Sequence, residues 1–185
     1  MNKKSFVHLH CHSPFSFLDG ASEIEDLVQQ VVEMEMPALA ITDHDNLCAA
    51  VKFSQAAQLA GIKPVQGVEV TLEGGGHLTL LAQSPRGYSS LCQLLTHAHL
   101  NNSRGEPVVT QADLEKIEDI IILSGCRRGV LAPLILQGRY REASEQAGFY
   151  RDWLGKEQFY VEMQNTLLPG DRYLNHRLLE LAQQV

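Results

Sequence analysis

The chain has 185 residues, 44% hydrophobic and 20% charged, a balance that suits one soluble globular domain with a sizeable core. Its formal net charge is −7 at pH 7, and its richest basic cluster is Arg127-Arg128, with Arg139 and Arg141 further on, which argues against an autonomous nucleic-acid binder. The sequence has no apolar run near the ~20 residues of a membrane span, no signal-peptide core in MNKKSFVHLH and no C-x-x-C pair among Cys11, Cys48, Cys92 and Cys126, so a cytoplasmic protein with reduced thiols and no membrane partner is expected.

In chain order, Phe6 to His10 reads as a strand. Ser22 and Glu25 form a capping-box pair, and the helix they open runs to about Met36 with Leu27, Val28, Val31 and Val32 on its apolar face. Leu39 to Thr42 is a strand, Leu47 to Ala60 a helix ended by Gly61, and Lys63 to Leu72 a strand. A turn at Glu73-Gly74-Gly75-Gly76 leads to a strand over His77 to Ala82. Pro85 to Leu100 is helical, Asn101 to Pro107 is a polar loop, and Ile120 to Ser124 is a strand. Helices over Val130 to Leu136 and Tyr140 to Leu154, a strand over Phe159 to Met163 and a helix over Asp171 to Val185 complete the pattern. Strands alternating with helices predict an α/β fold with a mostly parallel sheet, open or closed into a barrel.

The residues with chemistry gather at strand ends. In His8-Leu9-His10-Cys11-His12 alternate side chains of an extended segment point the same way, so His10 and His12 converge, and paired imidazoles suit zinc, manganese or iron. Asp19 follows on the same loop, as a further ligand or simply as an Asp-Gly turn. Thr42-Asp43-His44-Asp45 closes the second strand, where α/β proteins build sites; Asp43 can hold His44 or another ligand, and Asp45 or Asn46 can cap the next helix. Glu69 sits inside an apolar strand, which is costly unless the carboxylate is paired or metal-bound, or else it faces outward. His77 opens its strand, so it joins Glu69 at one sheet edge if the glycine turn makes a hairpin and lies at the wrong end if the strands are parallel. Cys126 follows the Ile120–Ser124 strand, as a ligand or as a buried structural thiol. Glu162 is a weak candidate for a site-facing polar group, and His97, His99 and His176 read as surface or packing residues.

Taken together, HLHCHSPFSFLDG, ALAITDHDNL, GIKPVQGVEV, HLTLLAQSPRGY and IILSGCRRG resemble the PHP domain that opens bacterial DNA polymerase III alpha subunits, nearest the error-prone alpha-type branch. The resemblance runs from Phe6 to Val185. It implies a distorted seven-stranded β/α barrel holding up to three divalent metal ions, zinc or manganese, with residues 1–185 forming one PHP domain. Carried over residue by residue, it implies metal ligands at His10, His12, Asp19, His44, Glu69, His77 and Cys126, with His10, His12, His44 and Glu69 also catalytic. His8 stands where many members have an acidic residue, and Cys126 where other branches have histidine. A final Asp-x-His on a later strand is expected beyond Val185, so the domain reads as C-terminally incomplete and its site as short of two ligands.

The chemistry that the resemblance implies is metal-assisted phosphoester hydrolysis, a 3′-to-5′ exonuclease beside a polymerase acting in DNA replication or error-prone repair synthesis. Its implied partners are DNA, reached through the parent polymerase, and other replication or repair subunits. Two alternatives stand beside it: a non-catalytic scaffold domain of the polymerase, and a stand-alone small-molecule phosphatase of the same family.

Overall fold

The structure, a computed structural model, describes residues 6–155 and 157–184. Five strands form one sheet in the order β1 (Ala38–Ile41), β2 (Lys63–Thr71), β3 (His77–Ala82), β4 (Ile120–Leu123) and β5 (Phe159–Tyr160). The α/β class stands, but the sheet is mixed. β1 and β2 are parallel across the helix α2 (Ala50–Ala60), and β4 and β5 are parallel across α5 (Ala132–Leu136) and α6 (Tyr140–Leu154). β2–β3 and β3–β4 are antiparallel. The reason is the Gly74-Gly75-Gly76 turn, whose residues all have φ between 83° and 95°, a region open to glycine, so the chain reverses there without a crossover helix.

Strand periodicity then sorts the two faces. Val68, Val70, Leu78, Leu80, Ile120 and Ile122 lie on one face in the main core, under α3 (Pro85–Asn101), and α7 (Asp171–Gln184) joins that core by packing on α5 and α6. The opposite face carries Glu69 paired with Thr79, Thr71 paired with His77, and Gly67 paired with Leu81. It is polar at one end and apolar at the other, where Ala40, Leu81 and Leu123 cluster with Val65 and Ile121. A second core joins α1 (Ile24–Glu33) and α2 to the outer side of β1 around Ile24, Val28, Leu39 and Phe53. Burying a side chain the size of Phe53, which is fully enclosed, contributes about 1.5–3 kcal/mol.

Local signals explain the element ends. α3 starts at Ser84, whose side chain accepts from the Arg86 and Gly87 amides, with Pro85 in the first turn. α2 ends on Gly61 at φ 72°, a left-handed cap. Four expectations fail. The Ser22–Glu25 capping box is not formed: Glu23 is the cap residue and makes no side-chain bond, so Ser22 stands one position too early. Val32 is 41% exposed, because the buried stripe follows Ile24, Val28 and Val31. The first strand is reduced to a parallel bridge of His8 with Leu39, and β5 is two residues long. A short helix, α4 (Gln111–Leu114), lies where none is expected, opened by a Thr110–Asp113 capping box.

The loop after β4 approaches β3 so closely that Gly125 has no room for a side chain. Its φ is 82°, and a Cβ would lie 2.5 Å from the His77 carbonyl oxygen. Gly148, inside α6, would place a Cβ in open space. Gly125→Ala is therefore expected to lower stability by about 1–3 kcal/mol, and Gly148→Ala to raise it by about 0.5–1 kcal/mol. Urea unfolding of the two variants checks both signs.

Candidate metal centre

The segment before α1 runs along β1: the Ala40 amide donates to the His8 carbonyl at 2.9 Å and the Thr42 amide to the Cys11 carbonyl at 2.8 Å. This pairing turns His10 and His12 toward the polar end of the inner face. His8 packs instead against Phe6, with ring centroids 5.0 Å apart. Past β1, His44 bridges to Glu69. The loop there is held by Asp45, at φ 54°, whose carboxylate accepts from the Thr71 amide and hydroxyl at 2.9 and 2.8 Å. The β2–β3 hairpin puts His77 opposite Thr71, at the same edge as Glu69.

Glu69 is fully buried and is the meeting point. Its Oε1 lies 3.5 Å from His10 Nε2, 3.4 Å from His77 Nδ1 and 3.4 Å from Cys126 Sγ. Its Oε2 accepts from His44 Nδ1 at 2.8 Å and lies 3.7 Å from His12 Nε2. Two groups with metal-ligating spacing result, His10–His12–Glu69 and His44–Glu69–His77, sharing the carboxylate.

Proton accounting sharpens the first group. His10 Nδ1 lies 2.8 Å from the Glu162 carboxylate, which only accepts, so that nitrogen donates. Ser16 gives its single hydroxyl proton to Asp43 at 2.9 Å and lies 2.7 Å from His12 Nδ1, so His12 Nδ1 donates as well. The two Nε2 atoms are then the ring positions left toward the site, and they face each other at 3.2 Å. Two imidazole nitrogens at ordinary ligand distances from one tetrahedral ion sit about 3.3 Å apart. In the second group, His77 Nδ1 is buried with no hydrogen-bond partner among the described residues. The donor set therefore fits divalent cations on both counts.

The charges agree. Burial alone would raise the Glu69 carboxyl, but the His44 bond and the nearby His77 and His10 rings hold it well below the usual carboxylate range. The bonds to Asp45 and Glu69 raise His44 to about 10. Burial works against a charged His10, yet the Glu162 bond and charge push it up, while burial and the neighbouring His10 push His12 down. Burial and the Glu69 charge raise the Cys126 thiol to about 11.

Three expected contributions differ. Asp19 stands outside both groups and pairs with Arg128 at 2.9 Å. Asp43 does not hold His44; it accepts from the Ser13 amide and hydroxyl and from Ser16, fixing the loop after the histidines. Asp45, expected as a cap, orients His44 instead at 3.1 Å from its Nε2, and Asn46 accepts from the Cys48 amide. Ser16, Thr71 and Thr79 complete the network, with Thr79 Oγ1 3.0 Å from His10 Nδ1. Hydroxyl residues have no diagnostic spacing, so these were beyond sequence reasoning; Glu162 was the weakest of the candidates.

Residues 8–166 match the PHP domain family. The chain belongs to that family. This PHP domain is 47% identical, over 97% of its own length, to 18% of an error-prone DNA polymerase from Symbiobacterium thermophilum. It is 37% identical, over 99% of its length, to 16% of a DNA polymerase III subunit alpha from Thermus aquaticus, and 35% identical over its whole length to 16% of the Vibrio cholerae subunit. The chain thus spans under a fifth of these relatives. Among solved structures, a lesion-specific endonuclease from Pyrococcus furiosus aligns with 86% of this PHP domain and 42% of its own chain at 15% identity and a TM-score of 0.49. No helix of the described residues is long and apolar enough to cross a membrane.

Because His44 is cationic at neutral pH without an ion, binding there displaces a proton. The apparent affinity of that group for Mn²⁺ or Zn²⁺ is expected to rise with pH toward about 10, by up to about tenfold per pH unit for one proton. Metal titrations from pH 6 to 8 check this, and His44→Gln should flatten the slope.

Proposed function

We propose that this PHP domain is a metal-binding phosphoesterase module of a DNA polymerase III alpha-type polymerase, acting as a 3′-to-5′ exonuclease in replication or error-prone repair synthesis. The observation that carries the reading is the pair of His10 and His12 Nε2 atoms facing each other beside the buried Glu69. His10, His12, His44, Glu69 and His77 would hold zinc or manganese, with Cys126 beside Glu69 as a further donor. Asp19 would join by turning from Arg128, which holds its Oδ1. Bound ions would lower the pKa of a coordinated water and hold phosphoryl oxygens for in-line displacement.

The chain's own residues do the rest. Glu162, Ser16 and Asp45 fix the ring orientations of His10, His12 and His44, the carboxylate and hydroxyl support that keeps a ligand nitrogen aimed. Glu69 spans both groups, so removing its charge would weaken both. The polar end opens into a cavity of about 1680 Å³ that reaches the apolar inner face, and this face supports the seven-stranded barrel that the family resemblance implies, of which five strands are described. In that barrel an Asp-x-His on a further strand would add two ligands. The parent polymerase would bring DNA and its replication or repair partners to a cytoplasmic enzyme.

The expected outcome is little phosphoesterase activity from the 185-residue chain with Mn²⁺ or Zn²⁺, no polymerase activity, and a marked gain in hydrolysis when the chain is extended into the parent sequence. Assays on single-stranded DNA and a chromogenic phosphoester compare the two. Glu69→Gln should cost at least about 10–100-fold in metal affinity. A fully extended protein that binds the metal but hydrolyses nothing would favour the scaffold reading.

A further inference from the structure

The Asp19–Arg128 pair spans the mouth of the cavity that His12, Glu69 and Cys126 also line. Arg128 is held there by its main chain. Its amide donates to Cys126 Sγ at 3.4 Å, and its carbonyl accepts from the His77 amide at 3.2 Å. The guanidinium therefore starts from a backbone tied to two residues around Glu69, while its side chain is 61% exposed and free to swing. Lys63, the other cation lining the cavity among the described residues, opens β2. Six residue steps along the strand take it about 20 Å from Glu69.

The charge balance makes this position informative. Glu69, Glu162, Asp19 and Asp43 all lie around the polar end. Asp43 is satisfied by Ser13 and Ser16, and Glu162 by His10 and Gln164. Asp19 takes one bond, from Arg128 Nη2 to its Oδ1 at 2.9 Å. A planar guanidinium suits carboxylate and phosphate oxygens alike, so the Asp19 oxygen on Arg128 occupies a place that a phosphoryl oxygen can take. If Asp19 turns to an ion, Arg128 is left at the mouth with its donors open.

We propose that Arg128 is the phosphate-recognising residue of this site and that Asp19 is its internal stand-in, exchanged for a phosphoryl oxygen of the substrate. The inference rests on the phosphoesterase reading and adds the group that binds the anion. Exchange makes Asp19 and Arg128 antagonists in the metal-free chain, since each satisfies the other, and partners in the loaded one.

The test uses phosphate binding, read by calorimetry, on the 185-residue chain and its Arg128→Ala, Arg128→Lys, Asp19→Asn and doubly substituted forms. Circular dichroism first checks that each is folded. With Mn²⁺ bound, Arg128→Ala should weaken binding of inorganic phosphate at least about tenfold, and Arg128→Lys should keep an intermediate affinity. Without metal, Asp19→Asn should bind phosphate more tightly than the parent chain, and the gain should vanish in the double variant, the signature of a direct coupling. Mn²⁺ affinity measured without phosphate should be equal or higher in Arg128→Ala, because Asp19 is released. An oligothymidylate without terminal phosphates distinguishes the source of the anion: a parallel loss in Arg128→Ala assigns internal diesters, and a loss with inorganic phosphate alone assigns a terminal monoester. Equal phosphate affinities in Arg128→Ala and the parent chain, with Mn²⁺ bound to both, would overturn the proposal. A parent chain that takes up no Mn²⁺ would instead sink the metal-centre reading, and the metal-free comparison would still decide Arg128.

Discussion

A carboxylate sealed inside a β-sheet is the constraint on which this structure turns. Glu69 is fully buried between Val68 and Val70, and an unpaired interior charge costs several kcal/mol. The fold meets that cost by surrounding one side chain with five others: His10, His12, His44, His77 and Cys126. Each element has a part in the arrangement. β1 delivers His44, the hairpin delivers His77, β4 leads to Cys126, and the segment along β1 delivers His10 and His12. In the metal-free protein the raised His44 supplies the compensating charge. The proposed ions would replace that proton with more charge and would also bridge the His10 and His12 Nε2 atoms that face each other.

The same alternation that turns Glu69 inward sends Val68 and Val70 into the main core. Core and site are therefore two faces of one strand, and a register slip of one residue would exchange them. The mixed topology matters for this reason. A parallel third strand would have opened with His77 at the far edge, whereas the antiparallel return puts it opposite Thr71. Gly125 then lets the β4 loop pass close enough for Cys126 to reach the same oxygen.

Much of this was legible in the sequence. Alternating histidines after an apolar start, a histidine closing the second strand and a glutamate within an apolar strand were sufficient to nominate residues that the fold brings together, and the glycine turn left the hairpin open as an option for His77. Strand direction was not legible, because a strand buried on both faces lacks the alternation that marks an antiparallel ribbon. Asp43 and Asp45 follow one strand, and the sequence does not tell which carboxylate reaches His44: Asp45 does, while Asp43 accepts from Ser13 and Ser16. Arg128 was noted only as part of a basic cluster, since its pairing with Asp19 joins positions 109 residues apart.

The most direct measurement is an anomalous-scattering map of crystals grown with zinc. The account predicts one peak about 2.0–2.2 Å from both His10 Nε2 and His12 Nε2, and a second beside His44 and His77, with Glu69 contacting both. Zinc found only at surface sites, with the His10 and His12 nitrogens still facing each other and no ion between them, would contradict it.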